Sequence, residues 1–187
     1  MRNKVLVAAG IVVVIAMGTY ILAGTTDQKE AGKSDTASVE MDMQGLKQMV
    51  QSYSMRTAKA ESASISSTQL MVKESDGKSA TYALPADEFF VSIAPYVDKT
   101  HPCATHSLTG CQGEMVEEEF NVSVKDSDGK VVLDNETVKS QPNGFIDLWL
   151  PRDQTYHVTI EHDGKKAESE ISTFENNDTC VTTMQLG

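Results

Sequence analysis

Asn143-Gly-Phe-Ile-Asp-Leu-Trp-Leu-Pro151 is a turn followed by a strand. Asn-Gly tolerates the left-handed backbone of a tight turn. Side chains alternate along a strand, so Phe145, Asp147 and Trp149 share one face, and Ile146, Leu148 and Leu150 the other. The same pattern repeats on both sides of this stretch. Residues 120–124 alternate before Asp128-Gly129, and 130–133 follow the turn. Residues 156–161 alternate before Asp163-Gly164, 166–174 return, and 180–186 form a last strand. Short strands separated by turn signals at this spacing predict an antiparallel β-sandwich over residues 98–187.

Upstream the period changes. Met43, Leu46, Met49, Val50 and Tyr53 recur at helical spacing within residues 41–60 and make one apolar stripe. Residues 68–74 and 79–84 flank Asp76-Gly77 as a hairpin, and 85–94 read as a short helix between Pro85 and Pro95. Residues 40–97 thus form a small helix/hairpin domain, and the fold class is α+β. The stripe is too large for so small a unit to cover, which predicts a homodimer through it. Met41, Met43, Met49 and Met55 are read as core or dimer residues, because Met is a routine core filler.

Residues 25–39 are small, polar and charged, as in a flexible linker. In residues 1–24, Arg2 and Lys4 precede an apolar run without charge from Val5 to Gly24. This is a signal peptide or a membrane anchor, and the rest of the chain is exported. No Cys follows the run directly, so lipid attachment there is closed. Taking Arg2 and Lys4 from the 16 basic residues leaves 14 against 27 acidic ones, a net charge of −13. Such a surface repels nucleic acid and anionic lipid, leaving the anchor as the membrane contact.

Three cysteines are an odd number for an exported chain. Two options survive: one disulfide with a spare thiol, or three thiolates on a metal. Cys103 and Cys111 share one loop, and Cys180 opens the last strand, pointing inward. Thiolate is a soft donor that selects Cu(I) or Zn(II) over hard cations. His106 lies between the two loop cysteines and His101 just before them. Cys₃His is also a structural zinc set, although the Cys103–Cys111 spacing departs from zinc knuckles. The absence of C-x-x-C favours binding over thiol–disulfide exchange. No nucleophile–base pair or phosphate-cradling loop points to an enzyme. For the metal-free protein, the cheap closure of a short loop favours a Cys103–Cys111 disulfide.

The stretches His101-Pro-Cys-Ala-Thr-His-Ser-Leu-Thr-Gly-Cys-Gln-Gly113, Asp178-Thr-Cys-Val-Thr-Thr-Met-Gln-Leu186 and Ala83-Leu-Pro-Ala-Asp-Glu-Phe-Phe-Val-Ser-Ile-Ala-Pro-Tyr96 resemble the CueP family of periplasmic copper-binding proteins. The resemblance covers residues 42–187. It implies a dimerising N-terminal domain and a copper-holding C-terminal domain, with Cys103, Cys111 and Cys180 as ligands and His106 beside them. It also implies copper tolerance, delivery of copper to periplasmic proteins, and reduction of Cu(II) by the thiols. The expectation is a Cu(I)-binding metallochaperone, with zinc as a substitute ion. The alternatives are a thiol redox protein acting as a cupric reductase, or a structural zinc or disulfide domain.

Overall fold

Asp42 starts the one helix among the described residues: its carboxylate accepts the N–H of Gly45 at 2.7 Å. The computed structural model describes residues 36–38 and 41–187. The signal-peptide or anchor segment 1–24, and the linker as far as residue 35, lie outside the described residues. In chain order the elements are β1 (Thr36–Ser38), α1 (Met43–Ser54), β2 (Ser62–Ile65), β3 (Gln69–Lys73), β4 (Ser79–Ala83), β5 (Glu88–Ile93), β6 (His106–Ser107), β7 (Glu119–Asp126), β8 (Val131–Lys139), β9 (Ile146–Pro151), β10 (Thr155–His162), β11 (Lys165–Ser172) and β12 (Cys180–Val181). They form three sheets, ordered β1-β4-β3-β2-β6, β11-β10-β7-β8 and β12-β5-β9. Thr36–Ser38, in the stretch read as linker, thus pairs with β4. Among the described residues no helix is long and apolar enough to cross a membrane.

The three-stranded sheet has a core on each face. Phe89, Val91 and Ile93 of β5 and Ile146, Leu148 and Leu150 of β9 pack with Val122, Val158, Ile160 and their neighbours from the four-stranded sheet. On the opposite face, Phe90 and Trp149 pack with Leu46, Val50 and Tyr53 of α1 and with Ile65 and Leu70 of the five-stranded sheet. The face assignment of residues 145–150 therefore holds, and so do the turns at Asp76-Gly77 and Asp163-Gly164.

Several expectations are corrected. Residues 85–94 are not a helix: β5 occupies Glu88–Ile93, with Phe89 through Ile93 all buried. An apolar run buried on both faces shows no alternation, so periodicity alone does not separate it from a buried helix. The sheets are not wholly antiparallel, because β12 runs parallel to β5 and β1 parallel to β4. The last strand is also shorter than expected: β12 ends at Val181, and beyond it the segment pairs once more as a parallel bridge of Gln185 with Tyr96, while Thr182, Met184 and Leu186 continue the buried alternation. Finally, Leu46, Val50 and Tyr53 of the α1 stripe are covered by the chain itself. Met41, Met43 and Met55 stay about two-fifths exposed and are not core residues, and Met49 packs at the rim.

Gly113 meets Gly144 across a close backbone approach. The Gly113 N–H donates to the Asn143 carbonyl at 2.7 Å, and a Cβ on Gly113 would stand 2.4 Å from the Gly144 oxygen. The chain after Cys111 is thereby buttoned to the Asn143-Gly144 turn. Gly113→Ala should lower unfolding stability by about 1–3 kcal/mol, as overpacking does. Urea denaturation checks this; an unchanged midpoint would contradict the close approach.

Candidate metal centre

Ala104 ties the cysteine-bearing loop to the end of β12. Its carbonyl accepts the N–H of Thr179 at 2.9 Å and of Cys180 at 3.1 Å. The Thr179 hydroxyl donates to the Ile65 carbonyl at 2.6 Å and accepts the His106 N–H at 3.1 Å. These bonds place Cys103 against Cys180: the two form a disulfide with Cα atoms 5.6 Å apart. Cys111 is the free thiol. The expected Cys103–Cys111 bridge is therefore corrected. Loop-closure entropy favoured it, but hydrogen bonds through Ala104 have already fixed the long-range register in the folded chain.

Cys111 is held close nonetheless. Its N–H donates to the Ser107 carbonyl at 2.9 Å, and Leu108 is fully buried in the core under α1. Arg56, just beyond α1 in left-handed backbone with φ 58°, clamps this turn. Its guanidinium donates to the carbonyls of Leu108 at 3.1 Å, Thr109 at 2.8 Å and Cys111 at 2.9 Å. Cys111 Sγ consequently lies 3.5 Å from Cys103 Sγ. Donor atoms of His106, Cys111 and Cys180 lie within 4.8 Å of one another, and so do those of His101, Cys103 and Cys111. The structure thus brings all four residues singled out in the sequence to one place, with His101 at its rim.

His106 is fully buried, its ring centroid 4.5 Å from that of Phe145. Burial, then the nearby charges of Arg56 and His101, lowers its pKa to about 3. The ring is therefore neutral across the physiological range, the form that can ligate a metal. Its Nε2 lies 3.4 Å from the Ser92 hydroxyl, and Nδ1 has no hydrogen-bond partner among the described residues. Ser92 in turn donates to Asp147 at 2.6 Å, and Ser54 and Gln141 also donate to that carboxylate. Burial pushes the Asp147 pKa up, and the three hydrogen bonds pull it down less strongly. Arg56, Ser92 and Asp147 were not singled out in the sequence. Asp147 left one trace, a carboxylate inside an otherwise apolar strand; Arg56 and Ser92 left none.

Residues 43–185 match the family described as periplasmic copper-binding protein CueP. The chain belongs to the CueP family. It is also similar to a solved protein, the crystal structure of S.CueP, with 38% identity and a TM-score of 0.70 over 76% of this chain and 88% of that one. No curated protein sequence matches significantly. The CueP family is periplasmic and copper-binding. The donor set suits that metal: sulfur is soft, and a buried imidazole nitrogen without a partner is an orphaned polar atom that a metal ion would satisfy.

Air oxidation of the metal-free protein should give a Cys103–Cys180 bridge and leave Cys111 open to alkylation. Peptide mapping under non-reducing conditions reads this directly. A mapped Cys103–Cys111 bridge would contradict the pinning by Ala104.

Proposed function

We propose that this chain binds one copper(I) ion through Cys103, Cys111, Cys180 and His106 and passes it to copper-receiving periplasmic proteins, contributing to copper tolerance. One observation carries the reading: three cysteine sulfurs and the imidazole of His106 lie together beside β12 in a chain of a copper-binding family. Zinc accepts the same Cys₃His set and is the ion against which selectivity matters. The protein works in the periplasm, freed from residues 1–24 or tethered by them to the outer face of the cytoplasmic membrane. Residues 40–97 supply a homodimer contact, for which the exposed Met41, Met43 and Met55 are the available apolar surface.

A redox role is favoured by the pairing of Cys103 with Cys180, two of the proposed ligands, as a disulfide. In the reduced protein, these two thiols give two electrons to two Cu(II) ions. The products are two Cu(I), one disulfide and two protons released to water. The bridge removes two soft ligands, so a dithiol reductant must reopen it before Cu(I) is held by the full set.

Anaerobic titration of the fully reduced protein with Cu(I), against a competing chelator, should break near one equivalent. Cys103→Ser, Cys111→Ser and Cys180→Ser should each weaken binding, and His106→Ala should weaken it by about 10–100-fold, more than His101→Ala does. A break near zero, or weak binding indifferent to the cysteine variants, would sink the proposal.

Sedimentation velocity tests the assembly separately. A dimer is expected at micromolar protein, and a monomer would reject the homodimer.

A further inference from the structure

A hydrogen-bond chain joins His106 to Asp147 behind the sulfur cluster. It runs from His106 Nε2 to the Ser92 hydroxyl at 3.4 Å and on to Asp147 Oδ1 at 2.6 Å. Asp147 Oδ2 accepts from the Ser54 hydroxyl at 2.7 Å and from the Gln141 amide at 3.1 Å. Three donors from α1, β5 and the turn before β9 thus converge on one carboxylate. Asp147 keeps some solvent exposure as a residue, yet both of its oxygens are engaged.

The direction of each bond follows from counting protons. Ser92 has one hydroxyl proton, and the 2.6 Å contact to Asp147 Oδ1 takes it in preference to the 3.4 Å contact to His106. What Ser92 then offers His106 is a lone pair. A neutral imidazole has one ring proton, and a lone pair facing Nε2 draws the proton to Nε2. Nδ1 is left with its own lone pair, and Nδ1 is the ring atom without a partner among the described residues.

We propose that Ser92 and Asp147 are positioning residues that hold His106 in the Nε2–H tautomer, so that Nδ1 is the nitrogen presented to copper(I). The copper half of this inference rests on the reading of His106 as a ligand. The tautomer half stands on the hydrogen bonds alone. A fixed tautomer spares the ion from waiting on a proton shift within the ring. The partner at Nε2 also makes the imidazole a better donor, as outer hydrogen bonds to metal-bound histidines do.

The test uses the 15N-labelled, reduced, metal-free protein, in which long-range 1H–15N correlations of the imidazole show which nitrogen carries the proton. His106 should show a protonated Nε2 and a bare Nδ1. Ser92→Ala and Asp147→Asn should shift the ring toward the other tautomer and weaken Cu(I) binding by about 10–100-fold. Ser92→Thr, which keeps the hydroxyl, should preserve both properties. A protonated Nδ1 in the unsubstituted protein would overturn the inference without any variant needing to fold. Undiminished copper affinity in folded Ser92→Ala and Asp147→Asn proteins, with His106→Ala still impaired, would overturn the positioning role. Undiminished affinity in His106→Ala would instead overturn the ligand assignment, and with it the copper half. The ring-nitrogen pattern, read without metal, separates that failure from failure of the hydrogen-bond chain.

Discussion

Cys180 lies opposite Ser92 in the parallel pairing of β12 with β5, and the rest of the site depends on that register. Slipping a strand by one residue turns every side chain to the other face, which would point the sulfur away from its partners. The register is fixed because β5 is buried on both sides. Phe89, Val91 and Ile93 fill one core, while Phe90 and Ser92 face α1 and the cysteine loop. Full burial of one such apolar side chain is worth roughly 1.5–3 kcal/mol, so several together outweigh the strain of holding a small polar cluster beside them. The backbone bonds through Ala104 then carry the register from β12 into the loop that bears Cys103.

The local charges also matter to the chemistry. The chain as a whole is acidic, but a cation, the Arg56 guanidinium, is clamped on the carbonyls of the Cys111 turn. In the proposed site, three thiolates around a monovalent ion would leave an excess of negative charge, which a neighbouring cation offsets at short range. As a ligand in that site, the neutral His106 would add a donor without adding charge. Arg56 follows the C-cap of α1, so the helical part of the chain and the sulfur cluster are mechanically joined.

Much of this was legible from local sequence. Dipeptides such as Asp163-Gly164 mark turns because few residues adopt left-handed backbone cheaply, and the alternation in 145–150 reports two environments across one strand. Donor chemistry and spacing singled out Cys103, Cys111, Cys180 and His106. What could not be read depends on contacts distant in sequence. Residues 88–93 carry no period because both of their faces are covered. The pairing of Cys103 with Cys180 follows from two hydrogen bonds to Ala104, which leave no trace in the order of residues. Exposed Met43 and Met55 carry the same letters as core methionines. Arg56 and Ser92 acquire their roles only when α1 and β5 meet the loop.

X-ray absorption at the copper edge of the anaerobically loaded, reduced protein tests the central claim most directly, because it counts sulfur and nitrogen neighbours around the ion itself. Three sulfur scatterers and one imidazole nitrogen are expected. The nitrogen should vanish in His106→Ala, and one sulfur in each cysteine variant. A first shell of oxygen and nitrogen without sulfur, or a shell unchanged by Cys111→Ser, would contradict the account.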